Sequence, residues 1–253
     1  MKPLLPIAGV SLLHRTIALG RKAVAGEPDA KLVVATDDAR IADHASEAGC
    51  DAVMTSPDIA TGSGRALAAA RAEGNAPEIV VNLQGDSPFQ PPQALGAMLR
   101  SLHDGDADVA TPVVRLSWDA LDALRRHKQV APFSGTTCVR TATGRALWFS
   151  KAILPAIRGE DRLRETEPLS PVRRHIGLYA YRLAALQAFE ATLPTELERL
   201  EGLEQLRLLD LGLTIDAVEI APPRFDISGI DTAADIARAE ALIAEHGDPL
   251  AEA

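Results

Sequence analysis

The sequence predicts an α/β fold: a mostly parallel sheet flanked by helices, carried on one domain over residues 1–253, with a β-rich insertion or arm at about 115–190. Short β-branched runs alternate with alanine-rich stretches of helical period, which is the pattern of βαβ units. The 253 residues are 47% hydrophobic and 24% charged, a composition that builds one core and excludes a disordered chain. Between about 115 and 190 the alternation weakens and short strands surround polar loops.

The elements follow in order. Lys31-Leu-Val-Val-Ala35 reads as a strand, and Asp37-Asp38 then caps a helix through Ile41, Ala42 and Ala45, a carboxylate accepting from the open amides of the first turn. Asp51-Ala-Val-Met54 is a second strand, followed by the loop Thr61-Gly-Ser-Gly64 and a helix from Arg65 to Ala72. Glu78 to Leu83 is a buried strand ending at Gln84-Gly-Asp86-Ser-Pro88, where Gly85 permits a close turn and Pro88 stops the strand. Pro91-Pro92 opens a helix, where a missing amide hydrogen costs nothing, and Val109 to Val114 is the next strand. Thr136 to Arg140, Arg145 to Phe149 and His175 to Tyr181 read as strands of the irregular region. One helix is expected from Pro194-Thr195 through Glu204 to Leu208, then a strand from Thr214 to Ile220. The last helix runs from Ala233 to Glu245, with Thr232 and Asp235 in the spacing of a capping box.

Composition narrows the function. A formal charge of -9 and a pI near 5.2 argue against a nucleic-acid backbone as partner, which calls for a concentrated basic surface. No apolar run reaches the roughly 18 residues of a membrane span. Ala23-Val-Ala25 imitates a leader cleavage site, but prolines and His14, Arg15, Arg21 and Lys22 interrupt the stretch before it, so no leader is expected. Cys50 and Cys138 form no C-x-x-C pair, which fits a reducing cytoplasm and neither a disulfide framework nor a zinc site.

Two carboxylates stand at strand-to-turn junctions: Asp86 in Gln-Gly-Asp-Ser-Pro and Asp231 in Ser-Gly-Ile-Asp-Thr. In an open sheet, ligands gather at the carboxyl ends of strands. Two such aspartates suit one Mg2+, which takes one or two carboxylates and completes its shell with water and substrate phosphates. A plain turn residue at Asp86, and a helix cap at Asp231, are the alternatives.

Read together and in order, Lys2-Pro-Leu-Leu, Val34-Ala-Thr-Asp37, Gly62-Ser-Gly-Arg65, Val81-Asn-Leu-Gln-Gly-Asp86, Trp148-Phe-Ser150, Arg174-His-Ile-Gly-Leu-Tyr179, Leu203-Glu-Gln-Leu-Arg207 and Gly229-Ile-Asp-Thr232 resemble the 3-deoxy-manno-octulosonate cytidylyltransferases, nearly end to end. The resemblance implies a nucleotide-diphospho-sugar transferase fold, a cytoplasmic homodimer using the arm as its contact, and transfer of CMP from CTP to an acidic sugar for lipopolysaccharide or capsule. It implies Asp86 and Asp231 as metal ligands, and Lys2, Ser63, Arg65 and Gln84 at the nucleotide, with Lys2 among the catalytic groups. His175, Tyr179, Glu204 and Gln205 match sugar-binding positions, the first two placed four apart on one strand face. Without the resemblance, Arg65 reads as a solvated helix-start residue, His175 as a satisfied core histidine, and Glu204 and Gln205 as an ordinary polar face.

Departures from the family pattern bear on substrate and activity. The family begins with a strand and an Ala-Arg-x-x-Ser-x-Arg loop before Leu-Pro-Gly-Lys-Pro-Leu, and Met1-Lys2-Pro3-Leu4 enters in the middle of that motif, so the true start is expected upstream. Ser87 replaces a glutamate, 59–65 lacks a histidine and an aspartate, and 129–137 lacks an asparagine and a lysine, which leaves a related sugar acid open. Rival readings are a nucleotidylyltransferase for another acidic sugar or sugar phosphate, and a catalytically impaired paralogue that binds sugar or nucleotide.

Overall fold

The computed structural model describes residues 2–27, 29–74, 76–225 and 229–251. They fall into two compact units, residues 1–96 with 223–253, and residues 97–222.

In the first unit a short 3-10 turn, Lys2–Leu4, leads into a hairpin of β1 (Pro6–Ile7) and β2 (Val10–Ser11), paired Pro6 to Ser11 and Ile7 to Val10. Its two-residue connection, Ala8 and Gly9, has φ of 46° and 78°, as the tight twist of such a hairpin demands. Ser11 caps α1 (Leu12–Val24) by accepting from the His14 amide. Next come β3 (Val33–Thr36), α2 (Ala39–Glu47, capped by Asp38) and β4 (Asp51–Met54), and β3 and β4 run parallel because a helix returns the chain between them. Helix α3 (Gly62–Ala72) begins three residues earlier than expected, since Thr61 accepts from Gly64 and draws the Gly62-Ser-Gly64 segment into its first turn. The strand β5 (Ile79–Asn82) precedes the Asp86 turn, and Pro92 opens α4 (Pro92–Asp104), along which the boundary between the units falls.

The second unit is built on β6 (Val109–Ser117), followed by α5 (Trp118–Val130), β7 (Thr137–Arg140), β8 (Ala146–Ser150), α6 (Glu160–Thr166), β9 (Leu169–His175), β10 (Tyr179–Arg182), α7 (Leu183–Glu190), α8 (Glu196–Glu201), α9 (Gln205–Asp210) and β11 (Ile215–Ile220). The mostly parallel sheet expected from the alternation is not what forms here. β6 pairs antiparallel with β9 and β10, and β7 pairs antiparallel with β8 and β9, while β11 alone runs parallel to β6. Connection length accounts for one of these pairs, since the short loop from β7 to β8 is long enough only for an antiparallel hairpin.

Two expected elements are each split in two. The run 175–181 is not one strand: the Leu178 amide bonds back to the Ile176 carbonyl at 2.8 Å, a tight turn that ends β9 and starts β10. Both strands lie on one edge of β6, with β11 on the other, and the break faces Pro112, which lacks the amide a continuous partner would need. The expected helix 194–208 is α8 and α9, separated at Gly202, whose φ of 62° terminates α8. The return to the first unit ends in α10 (Ala233–His246), whose Thr232 and Asp235 close both arms of the capping box. Its Ala239 packs with Ile7, Leu12, Phe89, Phe225 and Ile230 in the core of that unit.

Candidate active site

In the first unit the turn after β5 sets Asp86. The Ser87 amide bonds to the Gln84 carbonyl at 3.0 Å, and the Asp86 carbonyl accepts from Ile230 at 2.9 Å, which fastens the turn to the segment just before α10. Gly229 lies beside both groups, where a Cβ would meet the Asp86 carbonyl oxygen at 3.7 Å and the Asp231 carboxylate at 4.0 Å, ordinary contact distances. Asp86 and Asp231 therefore share one partner. Lys2 Nζ donates to Asp86 Oδ2 at 2.8 Å and to Asp231 Oδ1 at 2.5 Å. Burial works to lower the Lys2 pKa, but the hydrogen bonds and charges of Asp231 and Asp86 outweigh it and raise the ammonium above its ordinary value. Ser87, in the place of the family's glutamate, donates to Asp86 Oδ1 at 3.2 Å.

The other residues expected at the nucleotide, Ser63, Arg65 and Gln84, do not join this cluster by any direct bond. Arg65 donates to Thr55 Oγ1 and Asp37 Oδ2, both at 2.8 Å, so its charge already has a carboxylate partner. Ser63 is buried in the first turn of α3, and its hydroxyl has no hydrogen-bond partner among the described residues. Such an orphan is costly unless a ligand or water meets it. Gln84 is exposed at the turn and contributes its backbone carbonyl.

In the second unit His175, Tyr179 and Gln205 come together, although on three elements rather than on one strand face and a helix. The His175 and Tyr179 rings are 5.5 Å apart, and the Tyr179 hydroxyl donates to Gln205 Oε1 at 3.0 Å. Thr111 of β6 fixes the histidine. Its one hydroxyl hydrogen goes to the Leu178 carbonyl at 2.8 Å, so at His175 Nε2, also 2.8 Å away, the threonine oxygen accepts. The imidazole thus carries its proton on Nε2 and leaves Nδ1 as an acceptor. The residue is partly buried, and burial, with Lys151 nearby, pushes the pKa of the ring down to about 3. Gln205 Nε2 is buried with no partner. An acceptor and a donor left open in one cluster match a hydroxyl group, which both gives and takes a hydrogen bond.

Glu204, at the start of α9, is exposed and has no side-chain hydrogen bond among the described residues. Loss of hydration raises its pKa, opposed by Arg207 and reinforced by Glu198 and Glu190. Two contributors escape sequence reading. The Lys151 ammonium donates to Thr136 Oγ1 at 3.2 Å and its backbone amide to Glu201 Oε2 at 2.8 Å; burial lowers its pKa, opposed by the Glu201 charge. Thr111 carries no sequence signal either, because its role arises from strand pairing.

A family described as Cytidylyltransferase matches residues 1–215. A 3-deoxy-manno-octulosonate cytidylyltransferase of Maricaulis maris is 37% identical over 248 residues, 98% of this chain and 92% of that protein. The chain belongs to the 3-deoxy-manno-octulosonate cytidylyltransferase family. A member from Xylella fastidiosa is 41% identical over 242 residues, 94% of this chain and 89% of that protein. Among solved structures, a CMP:2-keto-3-deoxy-manno-octonic acid synthetase complexed with CTP superposes with a TM-score of 0.79 at 29% identity, covering 96% of this chain and 92% of the other. A 4-diphosphocytidyl-2C-methyl-D-erythritol synthase of Anaerococcus prevotii, at 12% identity and a TM-score of 0.58, shares the fold over 96% of this chain and 93% of its own. The α/β architecture and nucleotidyltransferase class expected for the family hold.

Proposed function

We propose that this cytidylyltransferase moves CMP from CTP to 3-deoxy-manno-octulosonate or a close relative, releasing pyrophosphate, and so supplies an activated sugar acid for lipopolysaccharide or capsule. The observation that carries the reading is the convergence of Asp86 and Asp231 on one cationic atom, Lys2 Nζ. Two carboxylates already arranged around an ammonium suit a divalent cation of the same sign, and two is the number Mg2+ takes when phosphates and waters fill its shell. Bound there, Mg2+ would neutralise charge on the phosphate oxygens of CTP.

The chain's own residues divide the remaining work. Lys2 brings a positive charge to the same pocket, suited to a triphosphate. The unpartnered Ser63 hydroxyl and the Arg65 guanidinium are the nucleotide-side groups of α3. On the sugar side, Gln205 Nε2 donates and His175 Nδ1 accepts, together orienting a hydroxyl, with Tyr179 holding the Gln205 amide in place. Lys151, whose ammonium makes no direct ion pair among the described residues, matches the sugar's carboxylate. Glu204 is the remaining polar group of this end. In the transfer the anomeric oxygen bonds to the α-phosphorus as the bond from that phosphorus to the bridging oxygen breaks, pyrophosphate leaves with that oxygen, and the hydroxyl proton passes to solvent. The protein's part is positioning and charge complementarity.

A cytoplasmic homodimer completes the proposal. Phe133 and Leu200 of the second unit are 74% and 69% exposed and line one cleft of about 500 Å³, and Val130 and Leu193 are also exposed, an apolar surface of the kind that a second copy covers. No helix among the described residues is long and apolar enough to cross a membrane.

Pyrophosphate release from CTP, with the sugar acid and Mg2+ supplied, tests the reading. Asp86→Asn is expected to lower kcat about a hundredfold to a thousandfold while the protein keeps its fold. Faster turnover with UTP or GTP, or an Asp86→Asn protein as active as the parent, would overturn it.

A further inference from the structure

In the second unit the ammonium of one lysine is taken up wholly by backbone oxygens. Lys128 stands in the last turn of α5 and donates to the Ser134, Gly135 and Lys151 carbonyls at 2.6, 3.0 and 2.6 Å, with the Pro132 carbonyl at 3.2 Å as a fourth oxygen. An ammonium has three hydrogens, so this one has none left for a ligand. A lysine at a helix end ordinarily meets the last carbonyls of its own helix. These four lie beyond α5, three of them in the loop before β7 and one just after β8. Burial and the charge of Lys151 lower the Lys128 pKa and Glu201 opposes them, so the two ammonium groups lie within each other's field.

The oxygens belong to the segments that carry the sugar-side cation. Lys151 is held at both of its backbone polar groups, its carbonyl by Lys128 and its amide by Glu201 Oε2 at 2.8 Å, while Glu201 Oε1 accepts from Ser150. The loop that Lys128 gathers leads straight into Thr136, which is buried. Thr136 meets two groups of the sugar cluster: its hydroxyl accepts from Lys151 Nζ at 3.2 Å, and its carbonyl accepts from the His175 amide at 2.9 Å. One ammonium thus ties the backbone of Lys151 to the loop that presents the side-chain partner of Lys151 and the backbone partner of His175. Pro132, Phe133 and Ser134 are exposed, so core packing does not fix that loop and the bonds to Lys128 supply a tether.

We propose that Lys128 is a positioning residue of the sugar end: by fixing the 132–135 loop and the Lys151 backbone, it holds the Lys151 ammonium beside His175, where that ammonium meets the carboxylate of the sugar acid. The role of Lys151 rests on the sugar-acid reading above, whereas the placement of Lys151 by Lys128 is tested without substrate.

Lys128→Met removes the ammonium and keeps an unbranched stem. Its crystal structure is expected to show the 132–135 loop displaced and Lys151 Nζ out of reach of Thr136; an unmoved Lys151 would overturn the proposal whatever the substrate proves to be. In pyrophosphate release the same variant is expected to raise KM for the sugar acid about tenfold, the loss of one charged hydrogen bond. KM for CTP and kcat are expected to stay within about twofold of the parent, since only binding of the sugar is weakened. Lys151→Met is expected to raise the sugar KM about tenfold to a hundredfold. Adding Lys128→Met to it is expected to change that KM by less than about twofold, because a residue that acts through Lys151 then has nothing left to position. An unchanged sugar KM in Lys128→Met, an equal rise for CTP as general loosening would give, or losses that multiply in the double variant would each count against the proposal. Lys128→Gln, whose amide still donates to two carbonyls, keeps the test available should Lys128→Met fold poorly, with a smaller rise confined to the sugar acid expected. A parent that releases no pyrophosphate with any sugar acid would refute the reaction assigned above, and the crystal structure would still decide the positioning.

Discussion

A histidine with its pKa pushed down to about 3 carries no charge at neutral pH, so His175 offers a lone pair and not a cation. The consequence for stability has a definite sign. Unfolded, the imidazole takes a proton below about pH 6.5, while the folded protein refuses it until about pH 3. Stability from this group is thus complete above pH 6.5 and declines as pH falls toward 3. Urea unfolding at pH 7 and pH 5 is expected to show a smaller loss on acidification for His175→Gln than for the parent; equal losses would mean that the ring is not held neutral. The choice between core histidine and sugar ligand, left open by the residues alone, turns on Thr111. That hydroxyl orients the ring from β6, and its contact rests on a strand register that local sequence does not encode.

At the scale of elements, the break between α8 and α9 matters more than the expected single helix, because it gives Gln205 its own helix start. The two pieces are locked by a buried ion pair. Arg207 Nε and Nη2 donate to the two oxygens of Glu198 at 2.7 and 2.6 Å, and Arg207 Nη1 reaches the Phe189 and Thr192 carbonyls. Glu198 also accepts from the Thr195 amide in the capping box of α8. Glu198→Gln keeps a capping side chain but strands the Arg207 charge, and is expected to cost about 3–5 kcal/mol of unfolding free energy. Glu198→Leu combined with Arg207→Met is expected to recover most of that loss, since neither charge is then buried alone. Equal destabilisation by the single and double changes would assign the cost to packing instead. Gly202 is the residue from which the break was legible, because a glycine just after a helix pattern marks its end; the helical period of the flanking leucines masked it.

At the scale of the whole molecule, the two units each bring together chemistry from distant parts of the chain, and the exposed apolar surface of the second bears on assembly. Phe133→Asp with Leu200→Glu is expected to convert a dimer into a monomer at micromolar concentration, read by light scattering. A parent protein that is already monomeric would refute the dimer. What the sequence by itself determined is local: the alternation of strands and helices, the caps at Asp38 and Thr232, and the order of motifs that carries the family. Propensity, capping and turn chemistry act within a few residues, so they can be read along the chain. Tertiary structure alone decided that most strand pairs of the second unit run antiparallel, that one expected strand divides at 176–178, and that Lys2 meets carboxylates 84 and 229 positions away. Most of these strand pairs join segments far apart in the chain, and a cation likewise finds its carboxylates only when burial of the surrounding core offsets the entropy of closing such long loops.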